Sequence, residues 1–228
     1  MDLLEEALAK GLPALDEHGA KRFLSAFGIP VSREILARDA EEAAAAAETI
    51  GFPVVLKVSG STLYHKTETG GVVLNVKSSS EVKEESHRLL KIPGCQALLV
   101  QEMVRGDREL VCGLIRDAQL GPCVMFGLGG IFTETLDDAV FRVAPLTHSD
   151  AMEMIAEIRS AKILGAFRGQ PPVSLEALSR ILVTLGEISL RHDAIRAIDI
   201  NPVKIRADGA PVAVDALISL TPRGPARR

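Results

Sequence analysis

Five consecutive alanines, Ala43 to Ala47, leave their stretch of chain little choice of backbone, because alanine is the strongest helix former and nothing β-branched interrupts the run. Asp39, ahead of Ala40-Glu41-Glu42, supplies a capping-box-like start, and Gly51 just before Pro53 supplies the stop. The helix therefore ends directly against Val54-Val55-Leu56-Lys57-Val58, an apolar, β-branched strand interrupted by one lysine. A helix and a strand joined this tightly imply layered packing of helix on sheet.

The neighbouring segments extend that pattern. Leu15, Phe23, Leu24 and Phe27 recur near helical spacing and predict a helix over about Asp16 to Phe27, stopped by Gly28 before Ile29-Pro30. After Gly70-Gly71 come a strand from Val72 to Val76, a surface helix from Ser80 to Lys91 and a strand from Ala97 to Met103. These elements form a first α+β lobe, residues 1–104. Gly106-Asp107 reads as a hinge or turn. Beyond it the sequence predicts strands at Glu109 to Ile115 and Pro122 to Phe126, then helices at Ser149 to Ser160 and Ser174 to His192. Strands at Ile195 to Ile200, Val203 to Ile205 and Val212 to Ile218 follow, the last two joined by the hairpin signal Ala207-Asp208-Gly209. They complete a second α+β lobe, residues 105–221, before a basic tail, 222–228, expected to be flexible.

Composition narrows the function. Among 228 residues, 26 basic and 30 acidic side chains give a net charge of −4, so no global basic field exists to gather nucleic acid or anionic lipid. There is no Trp and a single Tyr, Tyr64, which argues against aromatic stacking of single-stranded nucleic acid. The acidic N-terminus, Met1-Asp2-Leu3-Leu4-Glu5-Glu6, does not resemble a secretory signal, and the apolar stretch Gly121 to Thr133 is too short and glycine-broken to span a bilayer. A cytoplasmic protein with small-molecule substrates is expected. Cys95, Cys112 and Cys123 are odd in number and form no C-x-x-C pair, so they are expected to be reduced.

Three features suggest chemistry. Lys57, inside an apolar strand, must reach solvent or meet an anion. The segment His65-Lys66-Thr67-Glu68-Thr69-Gly70-Gly71 is either a plain hairpin connection or a lid whose backbone N–H groups fold over phosphates. In Asp199-Ile200-Asn201-Pro202 the period of two places Asp199 and Asn201 on one strand face, and the following hairpin can return Asp215 beside them. Such an oxygen-only set suits Mg²⁺, although an Asx-Pro turn with chance acids reads equally well. No P-loop is present, and Gly127-Leu128-Gly129-Gly130-Ile131-Phe132 has phenylalanine where a dinucleotide fingerprint needs glycine.

In unbroken order from about Asp16 to Leu220, these motifs resemble the ATP-grasp subunit of ADP-forming acetyl-CoA (acyl-CoA) synthetases, relatives of succinyl-CoA synthetase. The residues carrying the likeness are Pro53 to Lys57, His65-Lys66-Thr67 with Gly70-Gly71-Val72, Gln101-Glu102-Met103-Val104, Gly121-Pro122, Gly127 to Gly130 and Asp199 to Pro202. Gly19-Ala20-Lys21, leading into Phe27-Gly28-Ile29-Pro30-Val31, fits as well.

The resemblance implies a two-lobed ATP-grasp fold of the α+β class, holding ATP or ADP with Mg²⁺. By likeness, Lys57 contacts nucleotide phosphates and adenine, Glu102 and Val104 meet the adenine edge, and Glu109 binds ribose. Gly70 and Gly71 belong to the phosphate-covering loop, and Asn201 and Asp215 hold the metal. His65 is placed as a second phosphohistidine relay, with a solvated loop histidine as its plain alternative. The implied enzyme is an acid–thiol ligase, active with a CoA-binding α subunit that carries the principal phosphohistidine. No segment of this chain resembles that partner, so a hetero-oligomer is expected. Two other readings stay open: an ATP-grasp ligase acting directly on a carboxylate, and a nucleotide-sensing module of a protein acyltransferase-like system.

Overall fold

The computed structural model describes residues 3–60, 70–129, 138–166 and 169–221, and these divide into two compact units. One unit comprises Asp16–His18 and Ser32–Val104. The other comprises Met1–Leu15, Gly19–Val31 and Arg105–Arg228. The chain changes unit after Leu15, His18, Val31 and Val104, and the N-terminal stretch groups with the C-terminal half. The physical reason is strand pairing and packing: Ala14 and Leu15 pair with Ser219 and Ile218, and Leu4, Leu8, Phe23, Leu24 and Ile29 enter the same core as the later helices. The tail, 222–228, lies outside the described residues.

The smaller unit is a four-stranded antiparallel sheet in the order β2-β5-β3-β4 (Glu34–Ala37, Ala97–Glu102, Val54–Ser59, Val72–Val76). Two helices cover it, α3 (Ala40–Ile50) and α4 (Ser79–Leu89). Asp39 caps α3 by accepting from the backbone N–H of Glu41 and Glu42, and Ser78 caps α4 through Glu81 N–H. Alternation on β3 sends Val54, Leu56 and Val58 into the core with Ala43, Ala47, Val82 and Leu89. Val55, Lys57 and Ser59 therefore face away from the helices.

The larger unit carries a seven-stranded sheet. Its path is β1-β11-β9-β6-β7-β8, and β10 pairs separately with β9. The strands are β1 (Ala14–Leu15), β6 (Glu109–Asp117), β7 (Gly121–Leu128), β8 (Ala139–Val143), β9 (Ile195–Ile205), β10 (Pro211–Ala213) and β11 (Leu217–Leu220). Helices α1 (Leu3–Ala9), α2 (Glu17–Ala26), α5 (His148–Glu157) and α6 (Leu175–Arg191) supply its other layer. Leu178, Ile181, Leu182, Leu185 and Ile188 on α6 pack with Leu110, Leu114, Val124, Phe126, Ile198 and Ile200 of the sheet.

Where sequence reasoning divided the chain at Pro202, β9 runs on as one strand. Leu110 faces Val203 while Cys112 faces Ile200, so β9 carries an extra residue opposite β6. That bulge accommodates a proline that has no N–H for the ladder. Among the described residues no helix is long and apolar enough to cross a membrane, and Cys95, Cys112 and Cys123 are all free.

Candidate functional site

Lys57 does meet an anion, and it is one the sequence did not single out. Its Nζ lies 2.6 Å from Glu17 Oε1, with both residues deeply buried. Breaking such a pair by removing one partner costs on the order of 3–5 kcal/mol, because the other charge stays buried. The adjoining residues of the same segment also meet the smaller unit's sheet. Ser59 Oγ donates to Asp16 Oδ2 at 3.4 Å, and His18 Nδ1 lies 2.8 Å from Glu34 Oε1.

At the far end of β5, the Glu102 carboxylate is engaged by Arg33: Oε1 accepts from the Arg33 backbone N–H at 2.9 Å and Oε2 from its Nε at 3.3 Å. Val104, two residues on, is buried. In the larger unit Glu109 is half-buried, and its Oε1 lies 2.8 Å from Lys204 Nζ, which also donates to the Gly106 carbonyl at 3.2 Å. Gly70 takes a left-handed backbone, φ 66°, and the Gly71 carbonyl accepts from Val58 N–H at 2.8 Å, tying the end of the glycine pair to β3. His65, with Lys66 and Thr67, lies outside the described residues.

The C-terminal hairpin brings its three oxygen-bearing residues together. Gly209 N–H donates to the Arg206 carbonyl and Arg206 N–H to Ala210, which closes the turn and sets β10 on β9 with Val212 opposite Lys204. The chain then continues back along β9, so that Asn201 N–H donates to the Asp215 carbonyl at 3.2 Å and Leu217 stands opposite Asp199. Burial, and then the nearby Asp215 charge, push the Asp199 carboxyl above its ordinary range. A carboxyl whose proton affinity a neighbouring carboxylate raises, on a strand that carries an amide side chain two residues on, is a donor set that a hard divalent cation relieves. Among the described residues no group of three or more His, Cys, Asp or Glu side chains converges on a metal, so Mg²⁺ here would complete its shell with phosphate and water.

Gly127, within β7, and Gly129, just beyond it, have a packing role. A Cβ on Gly127 would meet the Asp138 carbonyl oxygen at 2.6 Å, and one on Gly129 the Leu110 backbone at 2.7 Å. Close approach to β8 and β6 accounts for both glycines. Arg108, beside Glu109, is another residue the sequence did not flag. It is buried, and it donates to the carbonyls of Gly165 at 3.2 Å and Pro171 at 2.9 Å. A separate cavity of about 630 Å³ between the Phe27–Pro30 turn and α6 contains none of the expected site residues.

A family model described as ATP-grasp domain matches residues 6–220, and the chain belongs to that family. Within it, the subunit beta of ADP-forming acetate–CoA ligase I from Pyrococcus furiosus is 42% identical over 226 residues, covering 96% of this chain and 97% of that one. ADP-forming acetate–CoA ligase I from Archaeoglobus fulgidus is 39% identical over 207 residues, which are 88% of this chain but 29% of that longer protein. Relatives thus carry this segment both as a separate subunit and inside a larger chain. A structure of acetyl-coenzyme A synthetase 1 from Ca. Korarchaeum cryptofilum, in complex with coenzyme A and Mg-AMPPCP and with its phosphohistidine segment pointing towards the nucleotide binding site, superposes with a TM-score of 0.86. It is 42% identical and covers 96% of this chain and 99% of that one.

Proposed function

We propose that this chain is the nucleotide-binding β subunit of an ADP-forming acyl-CoA synthetase, interconverting acyl-CoA, ADP and phosphate with free acid, CoA and ATP. The observation that carries the reading is the Asp199, Asn201 and Asp215 oxygen set, in a chain that spans nearly the whole of an ADP-forming acetate–CoA ligase β subunit. Asn201 and Asp215 would hold Mg²⁺, with Asp199 beside them. When bound, the metal neutralises phosphate charge.

This chain's own residues bind and orient. Lys57 gives the phosphates a charge-assisted donor, and Gly70 and Gly71 let the following backbone lie close to them. Arg33 occupies the Glu102 carboxylate, which favours backbone groups of residues 102–104 as the adenine contact. The lone pairs of Glu109 not taken by Lys204 are its means of meeting ribose hydroxyls. Phosphate moves between nucleotide and a histidine: the principal one on a CoA-binding α subunit, with His65 as the relay in this chain. The nucleotide half of the reaction is thus positioning and charge neutralisation, and the CoA half belongs to the partner.

Purified alone, the chain is expected to bind MgADP yet to show no ADP-dependent thioester cleavage with acetyl-CoA or other acyl-CoAs. Adding a CoA-binding α subunit restores turnover and ³²P labelling of a histidine. Robust turnover by the single chain would favour a self-contained ligase instead. Nucleotide binding without any phosphoenzyme, even with the partner present, would favour a sensing module.

A further inference from the structure

Asp16, Glu17 and His18 form a three-residue strap on the smaller unit's sheet, each paired with a polar group that the sheet turns away from its helices. The middle pair is the buried one: Lys57 is 6% exposed and Glu17 4%. We propose that Glu17 is a positioning residue for Lys57, holding its side chain in the charged form and aimed for phosphate binding. The proposal rests on the reading of Lys57 as a phosphate contact.

The argument is electrostatic. Desolvation disfavours a buried ammonium, and an opposite charge within hydrogen-bond reach restores it. Among the described residues, the titratable groups paired on this face of the sheet include Asp16, Glu17 and His18 on the strap and Glu34 on β2. Val72 on β4 and Leu99 on β5, which stand opposite Lys57 in the sheet, carry none. Of the strap's two carboxylates, Asp16 takes the Ser59 hydroxyl, and Glu17 reaches the ammonium at 2.6 Å. A lysine pinned by a carboxylate also gives up less rotamer freedom when phosphate arrives, which spares part of the ordering cost of binding.

Glu17→Gln keeps the shape of the side chain and its carbonyl acceptor but removes the charge. In that variant Lys57 loses its proton at lower pH, so MgADP affinity falls as pH rises. Above the midpoint the decline approaches tenfold per pH unit, the rate at which the charged fraction falls. Isothermal titration between about pH 7 and 9 should show this slope in Glu17→Gln and a much flatter profile in the wild-type chain. Adding Lys57→Arg to Glu17→Gln should flatten the profile again, because a guanidinium keeps its charge throughout.

A Glu17→Gln chain whose affinity is unchanged, or weakened equally at every pH, overturns the proposal. If Glu17→Gln does not fold, Glu17→Asp carries the test. Its carboxylate is drawn back by one methylene, and its affinity should begin to fall at lower pH than the wild type's; an unshifted profile overturns the proposal. Failure of the underlying reading has a different signature, because Lys57→Ala with full MgADP affinity would remove Lys57 from the phosphate site altogether.

Discussion

Replacing Gly129 with alanine tests whether the glycine just beyond β7 exists to let backbones touch. A Cβ at this position would stand 2.7 Å from the carbonyl carbon of Leu110, 2.8 Å from its oxygen and 3.0 Å from the carbonyl carbon of Glu109, all of them main-chain atoms. Carbon atoms at ease sit no closer than about 3.5 Å, so the two segments must part by roughly 0.8 Å. They are also tied there by the Gly129 N–H bond to the Glu109 carbonyl at 2.8 Å. Overpacking of this kind costs about 1–3 kcal/mol, and weakening the tie adds about 0.5–1.5 kcal/mol. The expected destabilisation is therefore about 1.5–4.5 kcal/mol. Gly186, in the interior of α6, is the internal control. Its added Cβ would find nothing nearer than the Leu146 nitrogen at 3.5 Å, so Gly186→Ala should be neutral or stabilising by up to about 1 kcal/mol. Urea unfolding followed by circular dichroism reads both variants against the wild type. Gly129→Ala with wild-type stability, or with the same shift as Gly186→Ala, would refute the close-approach argument. The displacement carries Glu109 with it, so Gly129→Ala is also expected to weaken MgADP binding.

Asp215→Asn should raise the Mg²⁺ concentration needed for half-maximal nucleotide binding by roughly tenfold or more, measured by titrating Mg²⁺ at fixed ADP. In the same variant Asp199 should release its proton at lower pH, because one of the two causes holding it up has gone; carboxyl NMR titration reads this directly. Asp138 titrates the opposite way. Burial pushes it up, but the Ser160 hydroxyl, the backbone N–H groups of Arg159 and Ser160 and the Arg159 charge outweigh this and hold it below the ordinary carboxylate range. Its contribution to stability is therefore present above about pH 4 and is lost as pH falls through the lowered value, so the stability gap between wild type and Asp138→Asn should shrink on acidification. Burial drives Cys112 up to about 12, leaving essentially no thiolate at neutral pH. Mass spectrometry after thiol labelling should find Cys112 unmodified in the native chain and all three cysteines modified in denaturant.

Local signals were legible wherever one segment decides its own conformation. Asp39, the alanine run and Gly51 define α3 by caps and propensity, and Ala207-Asp208-Gly209 defines the turn that returns Asp215 to Asn201. The lysine in β3 announced a buried cation, but its partner lies forty residues earlier in sequence, and no period or spacing connects residues 17 and 57. Likewise the resemblance pointed to Glu102 as a carboxylate for adenine, while Arg33, which occupies it, comes from the connection before β2. The strands β1 and β2 escaped detection because two and four residues carry too little alternation to stand out. They exist because a neighbouring strand offers them a ladder. Pro202 misled for the reverse reason: a proline normally ends a strand, and here a bulge absorbs it.

The pairing of β1 with β11 sets a timetable for synthesis. Leu15 leaves the ribosome some two hundred residues before its ladder partner Ile218. All four strands of the smaller unit are present once Glu102 has emerged, so its sheet can close while translation continues. The larger sheet has to wait. A chain released before Leu217 would have no β11 to pair with β9, leaving along that edge a row of amides and carbonyls open to other chains. Chaperone dependence and losses to aggregation should therefore fall on the larger unit, and loss of β11 should be far more damaging than the four residues of that strand would suggest.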